Sequence, residues 1–212
     1  MTVRKGFNMF LKKVGVGVYY TNCYIAADEL TKEAFVIDPA GDFEVIDEIL
    51  VNNDLNLKYI ILTHGHFDHI GAVIELKAKY NSTIYINEFD AYMLNDSEAN
   101  LSSRMKNKIE FSPDITFKDG DILQVGSLTL KLIHTPGHTE GSSCVLVDNI
   151  LFAGDTLFKN SIGRTDLPSG DRFKIISSIK EKLLILSKET MVYPGHGPST
   201  TINNEIIKNP FF

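Results

Sequence analysis

The sequence predicts a single-domain α/β protein in which two β-sheets pack together with helices on the outside. In the first half of the 212 residues, strand-like apolar runs alternate with amphipathic helix-like runs. In the second half, candidate helices bracket pairs of candidate strands. No linker-like stretch interrupts the pattern, so we expect one domain over residues 1–212.

Five short apolar or β-branched runs predict strands in the first half of the chain. Asp42 is expected to cap a helix whose apolar face spans residues 45–50. A second helix is expected from Ile70, because apolar residues recur after it at helical spacing. The predicted strands cover residues 10–18, 23–27, 34–37, 59–62 and 83–86.

The second half is richer in strands. Leucine alternates with polar residues over 128–132, the period-two pattern of a half-buried strand. Residues 148–149 are typical of a two-residue hairpin turn, and Asp171 is expected to cap a helix. The polar stretch 89–108 is interpreted as partly helical and as a mobile cover near the site. Further strands are expected over 144–147, 150–153 and 190–193.

Composition limits the class of partner. The chain has 43% hydrophobic and 23% charged residues, as ordinary globular proteins do. Its formal net charge of −6 argues against nucleic acid or an anionic membrane as a partner. We expect a small-molecule substrate, and either a monomer or a small homo-oligomer.

Three features predict a cytoplasmic protein. Cys23 and Cys144 are far apart, lie in apolar contexts and are expected to be reduced core residues. No window approaches the roughly 18 apolar residues of a membrane span. The apolar run at residues 7–11 is too short and interrupted for a secretory signal.

The chemistry is concentrated in residues 63–71, where three histidines and an aspartate fall within six positions. A predicted strand precedes this stretch and a predicted helix follows it, so a rigid scaffold presents the loop between them. Helix capping would account for Asp68 alone and leave the histidines unexplained. Imidazole and carboxylate are the usual ligands of zinc and iron, and we therefore predict a metal site. The four residues are His64, His66, Asp68 and His69.

Three later motifs add candidate ligands. They are Thr-Pro-Gly-His-Thr ending at Thr139, Gly-Asp-Thr around Asp155, and Pro-Gly-His-Gly around His196. Their order after the first motif resembles the metallo-β-lactamase superfamily of metallohydrolases. Residues 154–158 and 163–166 resemble its glyoxalase II, or hydroxyacylglutathione hydrolase, branch.

The resemblance implies an αββα sandwich with two divalent metal ions at one edge, most often Zn²⁺, with Fe or Mn as alternatives. It implies that Asp155 bridges the metals, and that Asp68 and Asp155 act in catalysis. The implied ligands are His64, His66 and His138 for one metal, and Asp68, His69 and His196 for the other. Two metals about 3.5–4 Å apart can activate a water, so no side-chain nucleophile is required.

Several of these residues have a simpler interpretation. Asp155, His138 and His196 each lie in a glycine-containing turn and would also suit a turn without a metal. His134 continues the apolar parity of its strand and matches no ligand position, so we interpret it as structural or as a support for a ligand. Candidates for hydrogen bonds that orient the ligands are Thr63, Thr139 and Ser142.

The resemblance implies cleavage of a thioester such as S-2-hydroxyacyl-glutathione by a metal-bound hydroxide. Arg164 aligns with a cationic substrate contact of the family, and its donor fork suits a carboxylate. Alternatively it pairs with Asp166 or Asp171. The chain stops sixteen residues after His196 and so resembles the shorter bacterial-type relatives, which lack a C-terminal helical domain that forms much of the glutathione pocket.

Two other functions remain open. An iron persulfide dioxygenase of the same superfamily would hold one iron with His64, His138 and Asp155, although residues 168–171 favour the short hydrolases. The second alternative is a protein that binds metal but catalyses no reaction. Lactonase-like, RNA-processing and β-lactam-hydrolysing relatives are further hydrolase alternatives, with a nuclease disfavoured by the acidic charge.

Overall fold

The computed structural model describes residues 9–212 and contains two six-stranded sheets. Residues 7 and 8 of the apolar run that we weighed as a secretory signal lie outside the described residues, and residues 9–11 belong to the first strand. The first sheet has the order β1-β2-β3-β4-β5-β6, antiparallel from β1 to β3 and parallel from β3 to β6. Its strands are β1 (Met9–Val16), β2 (Thr21–Asp28), β3 (Glu33–Ile37), β4 (Asn56–Ile61), β5 (Thr83–Asn87) and β6 (Ile115–Phe117).

The second sheet comes from the second half of the chain. Besides β7 to β10 it contains β13, which pairs in parallel with β10, and β14 at its edge. Two short strands, β11 (Leu157–Phe158) and β12 (Ser161–Ile162), form a separate ribbon. The other strands are β7 (Ile122–Val125), β8 (Leu128–His134), β9 (Ser143–Val147), β10 (Ile150–Gly154), β13 (Met191–Pro194) and β14 (Thr200–Thr201).

Apolar side chains of both sheets meet in one central layer. Tyr24 and Phe35 from the first sheet pack against Phe152 from the second, with ring centroids 5.1 and 6.2 Å from it. Helices cover the outer faces: α1 (Phe43–Asn52) and α3 (Val73–Tyr80) on the first sheet, and α4 (Arg172–Ser178) on the second. The predicted two-sheet α/β architecture, an αββα sandwich, is confirmed.

The residues that precede α1 and α4 were both predicted to cap their helices. Asp171 precedes α4, and its carboxylate accepts hydrogen bonds from the amides of Phe173 (2.8 Å) and Lys174 (3.0 Å), as an N-cap does. Asp42 precedes α1, but the prediction that it caps the helix is wrong. Its backbone is left-handed (φ 48°), and its carboxylate accepts instead from the Gly17 amide at 2.8 Å.

The helix predicted from Ile70 is two helices, α2 (Phe67–Ile70) and α3, because the chain turns at Gly71. A Cβ at Gly71 would collide with the backbone of Ala40, so only glycine lets these loops approach so closely. Residues 89–108 are helical in part, as predicted, with 3-10 helices at Ala91–Asn95 and Ser102–Arg104.

Sequence patterns missed β6, β7 and the helix α5 (Ile202–Lys208), which are short or polar. In residues 9–212 no helix has the length and apolarity that crossing a bilayer requires.

One edge of the sandwich collects the loops that carry the motifs. β3, β4 and β5 are parallel, and so are β8, β10 and β13, so each set ends at a common edge. The histidine-rich loop follows β4, His138 follows β8, Asp155 follows β10 and His196 follows β13. Loops beyond the carboxyl ends of parallel strands are where α/β proteins place their ligands.

Candidate metal centre

The loop after β4 holds its three histidines inside the protein. His64, His66 and His69 are each at most 3% exposed. α2 begins directly after His66, and the amide of Phe67 donates to the Asn100 carbonyl at 2.9 Å. The short helix therefore turns the side chain of His69 toward those of the two preceding histidines.

His64, His66 and His138 form one group of potential ligands, with their nitrogen atoms all within 4.8 Å of one another. Nδ1 of His66 lies 3.1 Å from Nε2 of His138. Two ligands of a tetrahedral zinc are roughly 3.3 Å apart at the usual Zn–N length. The separation therefore suits two nitrogens that share one cation.

Asp68, His69 and His196 form a second group, also within 4.8 Å. The Oδ2 atom of Asp68 lies 3.4 Å from Nε2 of His196 and 3.9 Å from Nε2 of His69. His196 is about one-third exposed, so this group is the more open of the two to solvent. An open coordination position is what separates a catalytic from a structural zinc site.

Asp155 lies between the two groups. Its Oδ1 is 3.6 Å from Nε2 of His69, and its Oδ2 is 3.7 Å from Nε2 of His138 and 3.6 Å from Nε2 of His196. Gly195 packs against this carboxylate, because a Cβ there would collide with Oδ1. One carboxylate thus faces both groups, which is the position of a bridging ligand.

Several buried polar atoms at this site lack a hydrogen-bond partner. They include Nε2 of His64, Nε2 of His69 and Oδ1 of Asp155. A buried polar group left unpaired costs about 1–3 kcal/mol. All three atoms point into the ligand groups, so the donor set fits divalent cations bound by nitrogen and oxygen.

The ionisation of two histidines favours metal binding. Burial, reinforced by neighbouring His138, lowers the pKa of His66 to about 3. Burial also lowers the pKa of His64 well below its ordinary value. Both rings are neutral at pH 7, the form in which imidazole binds a metal.

His69 differs in its electrostatic surroundings. Burial acts to lower its pKa, but the carboxylates of Asp155, Asp38 and Asp68 outweigh burial and raise the pKa to about 10. Without a cation, a proton on His69 compensates these carboxylates. A divalent cation in the same place would provide that compensation and displace the proton.

Asp38 is a functional residue that sequence reasoning missed. Its carboxylate accepts from the amide (2.8 Å) and hydroxyl (2.7 Å) of Thr63 and lies 2.9 Å from Nδ1 of His69. This fixes Nε2 of His69 toward the other ligands, as carboxylate–histidine pairs do at metal sites. Thr63, predicted to support a ligand, also lies 3.1 Å from Nδ1 of His64.

Asp90 was also missed, and it connects the two sheets beneath the site. It accepts from the amides of Gly65 (3.2 Å) and Gly141 (2.6 Å) and from the hydroxyl of Thr139 (2.7 Å). Thr139 in turn lies 2.7 Å from Ser142 Oγ, so both predicted supporting residues belong to this network. The network holds the first histidine motif against the loop of the second.

His134 takes no part in the ligand groups. Its Nε2 lies 2.8 Å from the Glu140 carbonyl, and its ring stacks on Phe89 with centroids 5.3 Å apart. This agrees with the interpretation of His134 as a structural residue.

Arg164 contributes in two ways. Its carbonyl lies 2.8 Å from Nδ1 of His138 and so orients that ring. Its guanidinium is exposed and makes a two-pronged ion pair with Asp166, at 2.8 and 2.7 Å. The pairing that we considered from the sequence is present, and the predicted role in substrate binding stays a prediction.

The ligand groups open into a cavity of about 670 Å³. Its floor carries the metal-motif residues His66, Asp68, His138, Asp155 and His196. Apolar side chains line its walls, among them Tyr19, Phe67, Leu101, Met105, Phe158, Ile162 and Leu167. A volume of this size suits a small organic substrate.

The chain belongs to the metallo-beta-lactamase superfamily, whose family model matches residues 16–196. It is 38% identical to the hydroxyacylglutathione hydrolase GloC of Haemophilus influenzae over 209 residues, 96% of this chain and 98% of GloC. The protein is thus a metal-dependent hydrolase of this superfamily.

Two solved structures show the same fold. The BLEG-1 B3 metallo-beta-lactamase superposes with a TM-score of 0.90 at 38% identity, covering 95% of this chain and 99% of its own. TTHA1623, solved in a di-iron-bound form, superposes with a TM-score of 0.82 at 32% identity, covering 95% of this chain and 100% of its own.

We expect Asp155→Ala to lose at least one bound metal, because the substitution removes a carboxylate that faces both ligand groups. Activity should fall by about 100-fold or more. Elemental analysis of protein purified without chelator measures the first effect. Asp155→Asn removes the charge at constant size. The control is Glu181→Gln, on the short π-helix Ile179–Leu183 that follows α4 and away from the ligand groups. Normal metal content and rate in Asp155→Ala would show that Asp155 is only a turn residue.

In the metal-free protein we expect His69 to stay doubly protonated up to about pH 10, with His64 and His66 neutral at pH 7. The raised pKa stabilises the metal-free fold most below about pH 6.5, and this contribution is lost as the pH rises through 10. Nitrogen chemical shifts of the rings, followed by NMR, measure the protonation. Adding metal should remove one proton from His69 at pH 7. An ordinary pKa for His69 would contradict this electrostatic description.

Proposed function

We propose that this protein is a thioesterase that hydrolyses anionic thioesters of the S-2-hydroxyacyl-glutathione class, with two divalent metal ions, Zn²⁺ first among them. The observation that carries the proposal is the convergence of seven candidate nitrogen and carboxylate ligands, five of which line the floor of one cavity. The 38% identity to GloC over nearly the whole of both chains supports the choice of substrate.

The ligands divide as the geometry suggests. One cation would be held by His64, His66 and His138. A second would be held by Asp68, His69 and His196, and Asp155 would lie between the two cations. When bound, such cations lower the pKa of a shared water and polarise a carbonyl oxygen. Asp68 is the only ligand carboxylate of the solvent-open group. We propose that Asp68 accepts the proton that water releases when it adds to the acyl carbon. The C–S bond then breaks and the thiolate leaves.

No side-chain nucleophile competes with this mechanism among residues 9–212. Both cysteines are free and buried, as predicted, and burial raises the pKa of Cys144 to about 11. Ser161 lines the cavity, but its hydroxyl donates only to a main-chain carbonyl and has no base beside it. Attack by water is therefore the route that the residues favour.

The cavity walls suit a thioester. Tyr19 and Phe67 stack edge to face with ring centroids 5.7 Å apart and provide an apolar surface beside Asp68. Arg164 stands at the cavity with Asp166 and remains our proposed contact for a substrate carboxylate, which would have to compete with Asp166. Apolar walls exclude bulk water and strengthen charge interactions in the site.

β-Lactam hydrolysis is the second candidate function. The similarity to BLEG-1, at a TM-score of 0.90 over nearly both full chains, favours it. The chemistry is related, since water again adds to a carbonyl carbon that carries a leaving heteroatom. The leaving group differs: a thiolate departs unaided, whereas an amine needs a proton.

A substrate panel separates these functions. Metal-loaded protein should cleave S-lactoylglutathione with a kcat/KM at least about 100-fold above that for lactones or penicillins, a gap of about 2.7 kcal/mol in transition-state stabilisation. Removing oxygen should leave the rate unchanged because hydrolysis consumes only water, and a chelator should abolish it.

Faster turnover of the β-lactam would favour the second function. Oxygen uptake with glutathione persulfide, without thioester cleavage, would identify an iron dioxygenase instead.

A further inference from the structure

The segment formed by the end of the second 3-10 helix and the loop after it brings positive charge to the cavity. It contains Arg104, Lys106 and Lys108, all exposed. Within the described chain none of the three makes an ion pair, and the Arg104 side chain makes no hydrogen bond there. In a protein with a net charge of −6, unpaired cations clustered beside an apolar cavity favour an anionic ligand there.

The base of this basic loop (residues 104–108) is fixed by buried polar side chains. Asn100, fully buried, donates to the carbonyls of Met93 (3.0 Å) and Ile109 (2.8 Å), and its own side-chain oxygen accepts from the Ser102 amide at 2.9 Å. Ser102 accepts from the Ile109 amide at 2.9 Å. The loop is thus closed on itself at its base.

The same base is attached to the metal motif. The Asn100 carbonyl accepts from the amide of Phe67, the first residue of α2, at 2.9 Å. Phe67 stands between the second and third motif ligands, His66 and Asp68. The position of the basic loop is therefore coupled to the position of the candidate metal centre.

Arg104 reaches the cavity that contains the ligand groups, and it differs there from Arg164. Both line the cavity, but the charge of Arg164 is already neutralised by its two-pronged pair with Asp166. Arg104 has Leu101 and Met105 beside it in the lining and no acidic partner. Among the described residues, Arg104 is thus the cavity-lining cation with a free charge.

A second cavity of about 480 Å³ adjoins the first and shares Phe67, Asp68 and Met105 with it. Lys106 lines this second cavity. The second cavity is also lined by Asp42 and Asp68, so Lys106 has acidic neighbours in its lining, whereas Arg104 remains a cation with no acidic partner. A substrate with its reacting carbonyl above Asp155 has room to extend past Arg104 toward Lys106. A charged peptide-like thiol, but not a short neutral one, would use this length.

We propose that Arg104 binds a carboxylate of the thiol part of the substrate and selects anionic over neutral thioesters. This assignment rests on the proposed thioesterase function and names the residue behind its substrate preference. Guanidinium provides two parallel donors to a carboxylate, which makes it more specific than lysine at such a contact.

Arg104→Gln tests this with S-lactoylglutathione and with the neutral S-lactoyl thioester of N-acetylcysteamine. The variant should raise KM for the glutathione thioester roughly 10- to 100-fold with kcat unchanged, because a binding contact made equally in ground and transition states is lost. KM for the neutral thioester should change less than about twofold. Arg104→Lys should recover part of the loss.

Lys108→Gln is the matched control, since it removes one charge from the same loop but does not line the cavity. It should leave both KM values within about twofold. An equal rise of KM for both thioesters in Arg104→Gln, or no rise for either, would overturn the assignment.

A binding measurement keeps this test separate from the proposed function. S-hexylglutathione, which cannot be hydrolysed, is titrated into metal-loaded wild-type protein and Arg104→Gln by calorimetry. Roughly 10- to 100-fold weaker binding to the variant supports the role of Arg104 even if no thioester is cleaved, an outcome that would refute only the proposed function. Equal binding, or no binding to wild type, overturns the role of Arg104.

Discussion

Charge compensation at one buried edge is the constraint on which this structure depends. Asp38 is almost fully buried, and Asp68 and Asp155 are mostly buried beside it, at the end of two sheets with apolar interiors. Buried carboxylates are costly unless a positive charge or several donors compensate them. His69 lies within 4 Å of all three, and these carboxylates raise its pKa. Binding of divalent cations and stability of this edge should therefore be coupled.

Each of the two sheets supplies only some of the candidate ligands, so the site needs both. The first sheet supplies the histidine-rich loop, and the second supplies His138, Asp155 and His196. Neither half contains a complete pair of ligand groups. Asp90 joins the halves directly, through hydrogen bonds to Gly65 and Gly141. The floor of the cavity is thus formed only when the two sheets are packed together, and we propose that the loops above it set the substrate selectivity.

The sequence was enough to predict the sandwich and the candidate ligands, because both leave local signals. Period-two leucines marked β8, and four short motifs marked the seven candidate ligands, whose division between two metals came from the resemblance to the superfamily. Residues that act through distant contacts left no such signal. Asp38 meets Thr63 across 25 positions, and Asp90 meets Thr139 across 49. Aspartate is a residue type that commonly caps helices, and Asp42 precedes α1. Its carboxylate nevertheless accepts a hydrogen bond from the distant Gly17 amide and does not cap the helix.

The central claim is that nitrogen and oxygen ligands hold two metals close together. X-ray absorption spectroscopy at the zinc edge, on protein loaded with two equivalents of zinc, measures this most directly. We predict that the metals are coordinated by nitrogen and oxygen only, that imidazole scattering is visible, and that the metal–metal distance is about 3.5 Å. Sulfur scattering from Cys23 or Cys144, or the absence of any metal–metal distance at two bound equivalents, would contradict the central claim.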